Sequence, residues 1–112
     1  VRIPKRFKLL GQTIEVVFEE KLVAKDDIVG AARYRTNEIA LQPCTEGCPR
    51  KPEAVEQTFF HELLHFALDA MGRNELRQEE AFVDMLAGLL HQALTTAEYD
   101  ALADWDGETE RG

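Results

Sequence analysis

EAVEQTFFHELLHFALDAM, residues Glu53 to Met71, is where the hydrophobic period of this chain changes. Upstream the period is two. Phe7 to Leu10 and Thr13 to Glu19 flank a Gly11-Gln12 pair suited to a hairpin turn, and Ile14, Val16 and Phe18 alternate with Thr13, Glu15 and Glu19. After a charged loop around Lys25, Asp26 and Asp27, Gly30 opens the run AARYR, and Thr36-Asn37 suggests a second turn. Ile39 and Leu41 then alternate with Glu38, Ala40 and Gln42. Pro43 to Pro52, rich in proline and carrying Cys44 and Cys48, reads as an irregular connection. From Glu53 the apolar residues recur at helical spacing until Gly72, which offers a left-handed stop. A second helix is expected from Glu75 to Leu94. Thr95, with Glu98 three residues on, has a capping-box pattern and predicts a short last helix over Ala97 to Asp104. Strands first and helices after imply an α+β domain, with a small, mostly antiparallel sheet of about four strands and the helices on one face.

The 112 residues suffice for one compact core, so residues 1–112 are expected to form a single domain with function built into that core. No apolar run approaches the roughly 20 residues of a membrane span. The opening VRIPKRFKLLGQ lacks the apolar stretch of a secretory leader, so the expectation is a cytoplasmic protein. The formal net charge of -8 opposes binding to phosphate backbones and argues against a nucleic-acid partner. Arg2, Lys5, Arg6 and Lys8, and the acidic residues from Asp100 to Glu110, read as solvated ends. Two cysteines are too few for a disulfide scaffold or a cysteine-only zinc site, so Cys44 and Cys48 read as reduced thiols, with a local disulfide as the alternative.

Each helical residue advances about 100°, so with His61 at 0°, His65 falls near 40°, Thr58 near 60° and Glu62 near 100°. The opposite side collects Phe59, Phe60, Leu63, Leu64, Phe66, Ala67 and Met71, so the expected core face excludes both histidines. An H-E-x-x-H run in this register lets two imidazoles reach one Zn²⁺, with Glu62 beside the ion's water as general base. Zinc lowers the pKa of that water from 15.7 to about 7, and the carboxylate takes its proton and passes it to the leaving amine.

A third ligand decides between a metal site and two incidental imidazoles. Gly72 marks the turn between the helices, and an antiparallel pair aligns residues equally distant from it. His65 lies seven residues before Gly72 and Glu80 eight after; His61 lies eleven before and Asp84 twelve after. Glu80 is therefore expected to complete the ligand set, and Asp84 to orient His61 through its second ring nitrogen. Glu79 points about 260° around the helix from Glu80, between Leu86 and Leu90, and is the disfavoured rival.

HELLH followed by EAFVDMLAGLL, with Glu80, Ala81, Asp84 and Leu89 in place, resembles the paired H-E-x-x-H and E-A-x-x-D helices of the gluzincin metallopeptidases. The small size, the preceding G-x-x-x-Y and Ile-Ala-Leu strand, and the short gap between motifs are most similar to the ImmA/IrrE-type and phage-encoded members. The resemblance implies zinc, peptide-bond hydrolysis, and an edge strand at Glu38 to Gln42 that holds a peptide or protein substrate. It covers Thr58 to Leu94 and supplies no match to the distal oxyanion donor of the larger enzymes. Tyr34, His91 and Tyr99 are the available donors, with His91 expected at the surface, about 16 Å along the axis from Glu80. The alternative to an enzyme is a zinc-stabilised binding or regulatory module. A metal-free adaptor is disfavoured by Glu80 and Asp84.

Overall fold

The computed structural model describes residues 3–20, 29–45 and 47–100. The chain runs β1 (Arg6–Leu9), β2 (Gln12–Phe18), β3 (Gly30–Arg33), β4 (Glu38–Leu41), β5 (Cys44–Thr45), β6 (Cys48–Pro49), α1 (Pro52–Ala70), α2 (Asn74–Arg77) and α3 (Glu80–Thr96). It is a small α+β domain. Its four-stranded sheet has the order β1-β2-β4-β3 and is mixed: β1 with β2 and β3 with β4 are antiparallel, whereas β2 and β4 run parallel. Among the described residues no helix is long and apolar enough to cross a membrane.

The first hairpin turns on Leu10-Gly11 rather than Gly11-Gln12. Leu9 pairs with Gln12, and both turn residues have positive φ, 49° and 78°, as a two-residue type I′ turn requires. Tyr34 to Asn37 connect β3 to β4, with Asn37 also left-handed at φ 55°.

The strand order corrects one expectation outright. Glu38 to Gln42 does not form an edge: β4 pairs with β2 on one side and β3 on the other. Ile39, Ala40 and Leu41 are accordingly buried on both faces. Among the described residues the edge strand on this side of the sheet is β3. The Pro43 to Pro52 stretch also differs from expectation, because β5 and β6 form a small hairpin closed by Arg50 N–H donating to Pro43 C=O. Cys44 and Cys48 are free thiols on this hairpin and do not face each other; Cys44 pairs with Pro49 and Cys48 with Thr45.

Proline at the first helical position starts α1, where its missing N–H costs nothing. Gly72, at φ 72°, ends it. The Gly72 N–H donates to Asp69 C=O and the Arg73 N–H to Leu68 C=O, the paired bonds of a Schellman stop. The expected helix from Glu75 to Leu94 is two helices, broken at Gln78 and Glu79, and α3 packs extensively along α1. Thr95 does not open a last helix: it lies inside α3 with its hydroxyl donating to His91 C=O, and residues 97–100 are not helical. The rest of that expected helix, the Lys25 loop, Arg2 and the acidic residues beyond Asp100 lie outside the described residues.

One face of α1 covers the sheet. Val55, Phe59, Phe60 and Phe66 close over Ile14, Ile39 and Leu41, and Phe7 meets Phe59 edge-on with ring centroids 5.9 Å apart. Arg50 fixes helix to sheet, donating through Nη1 to Gln42 C=O at 2.7 Å and through Nη2 to the Thr58 hydroxyl at 2.7 Å. This clamp sets how close the middle of α1 lies to the end of β4 and to its neighbour β3.

Candidate metal centre

Three elements meet around the third and fourth turns of α1. β3 borders them on one side and α3 on the other, and His61, Glu62 and His65 project between the two. The separation of histidines from the core is thus incomplete: Glu62 and His65 are both buried, at 8% exposure, because β3 and α3 cover the face that a bare helix would leave in water.

His61, His65 and Glu80 converge. Their ligand atoms all lie within 4.8 Å of one another. His61 Nε2 is 3.2 Å from His65 Nε2 and 3.0 Å from Glu80 Oε1, and His65 Nε2 is 3.4 Å from Glu80 Oε2. Ligands at about 2.0–2.1 Å from a tetrahedral zinc would stand about 3.3–3.4 Å apart, and each of these contacts is near that spacing, although the two to Glu80 are made by different carboxylate oxygens. The donor chemistry fits as well, since two imidazoles and one carboxylate are a known ligand set for catalytic zinc. Asp84 Oδ1 lies 3.5 Å from His61 Nδ1, longer than a good hydrogen bond but close enough to favour a proton on Nδ1. That tautomer directs the Nε2 lone pair towards Glu80 and His65. Glu79 is the residue that caps α3 and stands outside the cluster.

Burial acts on the two enclosed groups in opposite directions. It pushes the Glu62 carboxyl up to about 7, an effect the nearby His61 opposes and the Glu80 carboxylate reinforces. The same desolvation lowers the pKa of His65 against the pull of Glu80, which keeps the imidazole in its neutral, metal-ligating form.

Gly30 lets β3 approach this closely. A Cβ there would overlap the Thr58 methyl group and stand 3.0 Å from Glu62 Oε2. A glycine opening a strand is a signal of close backbone approach, though nothing in the sequence says what approaches. A cavity of roughly 590 Å³ opens here, with Gly30 and Gln57 on its walls and the His61, Glu62, His65 and Glu80 cluster at its floor.

Comparisons with family models, with curated proteins and with solved structures found no match to this chain. The reading of the site therefore rests on its own residues.

Of the three other donors, Tyr34 lines a cavity shared with Glu62, His65 and Glu80, whereas Tyr99 and His91 do not. Tyr34 lies half-buried against Phe66 and near Arg77. Tyr99 is 78% exposed. His91 is not a surface residue: it is buried between α1 and α3, with Nε2 2.9 Å from Glu56 Oε1 and its ring 5.9 Å from that of Phe60. It is a cross-helix tie, remote in sequence from Glu56, and the antiparallel count misses it by about one helical turn.

Proposed function

We propose that this domain is a zinc-dependent peptidase that hydrolyses peptide bonds, with His61, His65 and Glu80 holding the ion and Glu62 as general base. The observation that carries the reading is Glu62. A structural zinc site has no use for a buried carboxyl beside its ligands, whereas a hydrolase needs one. Zinc supplies Lewis acidity, polarising a substrate carbonyl and lowering the pKa of water to about 7. Glu62, held near that same value by burial, is matched to accept a proton from water and return it to the leaving amine. His65 stays neutral, and Asp84 fixes the orientation of His61.

The strand beside the site is β3, and its outer edge carries no ladder partner among the described residues. An extended peptide laid along that edge would hydrogen-bond to its backbone and pass Gly30 within reach of Glu62. The absence of a side chain at Gly30 is what lets β3 lie against Thr58 and Glu62.

Replacing Glu62 with Gln tests the proposal. The ligands remain, so zinc content and fold are expected to persist while cleavage in a peptide-library assay falls by about 10² to 10⁴-fold. Equal cleavage by Glu62→Gln and parent would remove Glu62 from the chemistry. Zinc binding without any cleavage by the parent would leave a zinc-stapled binding module.

A further inference from the structure

A second cavity shares Glu62, His65 and Glu80 with the first. β3 borders both: Gly30 lines the first and Ala32 the second, where it is joined by Tyr34, Arg77 and Gln78. The two cavities are thus parts of one cleft that follows β3 past the ligand cluster.

Arg77 is the cation of this second part, and its hydrogen-bonding capacity is incompletely used. Its Nε is buried and has no hydrogen-bond partner among the described residues. Its contact with a carboxylate, Asp69 Oδ1, stays at 3.8 Å, beyond hydrogen-bonding range. The guanidinium instead lies 5.0 Å from the centre of the Tyr34 ring. Burial raises the Tyr34 pKa, so the phenol stays protonated. In a chain with 21 acidic residues against 13 basic ones, a guanidinium on a cleft wall that makes no carboxylate hydrogen bond, its contact to Asp69 stopping at 3.8 Å, stands out.

We propose that Arg77, with the Tyr34 hydroxyl and the Gln78 side chain beside it, forms a carboxylate-binding subsite that selects peptides carrying an acidic group next to the bond at the metal centre. The proposal rests on the peptidase reading for the position of that bond. Guanidinium is the side chain best suited to the task, because its planar fork matches the two oxygens of a carboxylate. Two sources share this chemistry: the free C-terminus of a peptide, and an Asp or Glu side chain within one.

The test is binding, read separately from cleavage. Four fluorescent peptides of one sequence would combine a free or amidated C-terminus with Glu or Gln at a single internal position. Their affinities would be measured for the full chain with zinc restored and again after chelation. Charge-assisted bonds to a partly exposed guanidinium lead to an expected preference of roughly tenfold for one carboxylate-bearing form over its amide. A preference that follows the terminus identifies C-terminal recognition, and one that follows the internal residue identifies an acidic side chain.

Arg77→Gln is expected to bring the acid-to-amide ratio close to one while leaving zinc content intact, which loss of packing alone would not do. Arg77→Lys keeps the charge but not the fork, and is expected to retain a reduced preference; it serves if Arg77→Gln fails to fold. Equal affinity of the parent for acid and amide forms, no binding of any of the four peptides, or a preference that survives Arg77→Gln would overturn the proposal. Loss of the peptidase reading would appear differently, as absent zinc or absent cleavage, with the acid-to-amide ratio still measurable in the chelated protein.

Discussion

The Glu62 carboxyl is enclosed by Gly30 on β3 and flanked by His61 and Glu80, and its enclosure has a cost that depends on pH. Its pKa is raised from 4.5 to about 7 in the folded chain, so the folded state binds a proton that the unfolded state has released across that window. Stability from this group is therefore complete below about pH 4.5 and is lost as pH rises through about 7. In metal-free protein the loss is expected to reach up to about 3 kcal/mol. Urea titrations at pH 5 and pH 8 check this: the parent should lose more stability than Glu62→Gln, and identical losses would show that Glu62 is not the group involved. Gly30 gives the complementary test. Gly30→Ala puts a methyl group into Thr58 and against Glu62, so a destabilisation of about 1–3 kcal/mol is expected, together with reduced cleavage. Unchanged melting and turnover in that variant would mean that β3 can yield at no cost.

Among the elements, the first hairpin carries an identifiable strain. Leu10 is 82% exposed and held at φ 49°, a region that costs a non-glycine residue about 1–2 kcal/mol. Leu10→Asn would give the preferred Asn-Gly pair for a type I′ turn and is expected to stabilise the domain by about 1 kcal/mol, read from the denaturation midpoint. No gain would indicate that the turn relaxes when the side chain changes. The same hairpin shows what a sequence can carry. Alternation located β1 to β4 because each strand has its own pattern, but the turn was displaced by one residue because Leu is a poor indicator of positive φ. Strand order was hidden for a different reason. Ile39, Ala40 and Leu41 form a short apolar run typical of an interior strand, yet it is the parallel pairing with β2, formed across residues 19–37, that makes β4 interior. The break at Gln78 and Glu79 lacks proline or glycine and left no local signal.

Across the whole molecule, the meeting of His61, His65, Glu80 and Asp84 was the most legible feature, because a helix has a fixed 100° step and an antiparallel pair has a fixed register about its turn. That count brought Glu80 to His65 and Asp84 to His61, and Gly88 is found beside Gln57 in the same register. Arg77, the Glu56–His91 tie and the fit of Gly30 against Glu62 were not legible, since each depends on how separate elements pack. The helices are held together by Phe60, Val83 and Ala87 within the core and by the Glu56–His91 contact, so the His61, His65 and Glu80 cluster spans a junction that other contacts already define. Zinc binding by the parent, Glu80→Gln, Asp84→Asn and Glu79→Gln, measured by competition titration on the same preparation, tests the site most directly. One zinc per parent chain is expected, with the greatest loss of affinity in Glu80→Gln, a loss of roughly 10 to 100-fold in Asp84→Asn, and little change in Glu79→Gln. A parent that binds no stoichiometric zinc, or a greater loss in Glu79→Gln than in Glu80→Gln, would contradict the proposed metal centre.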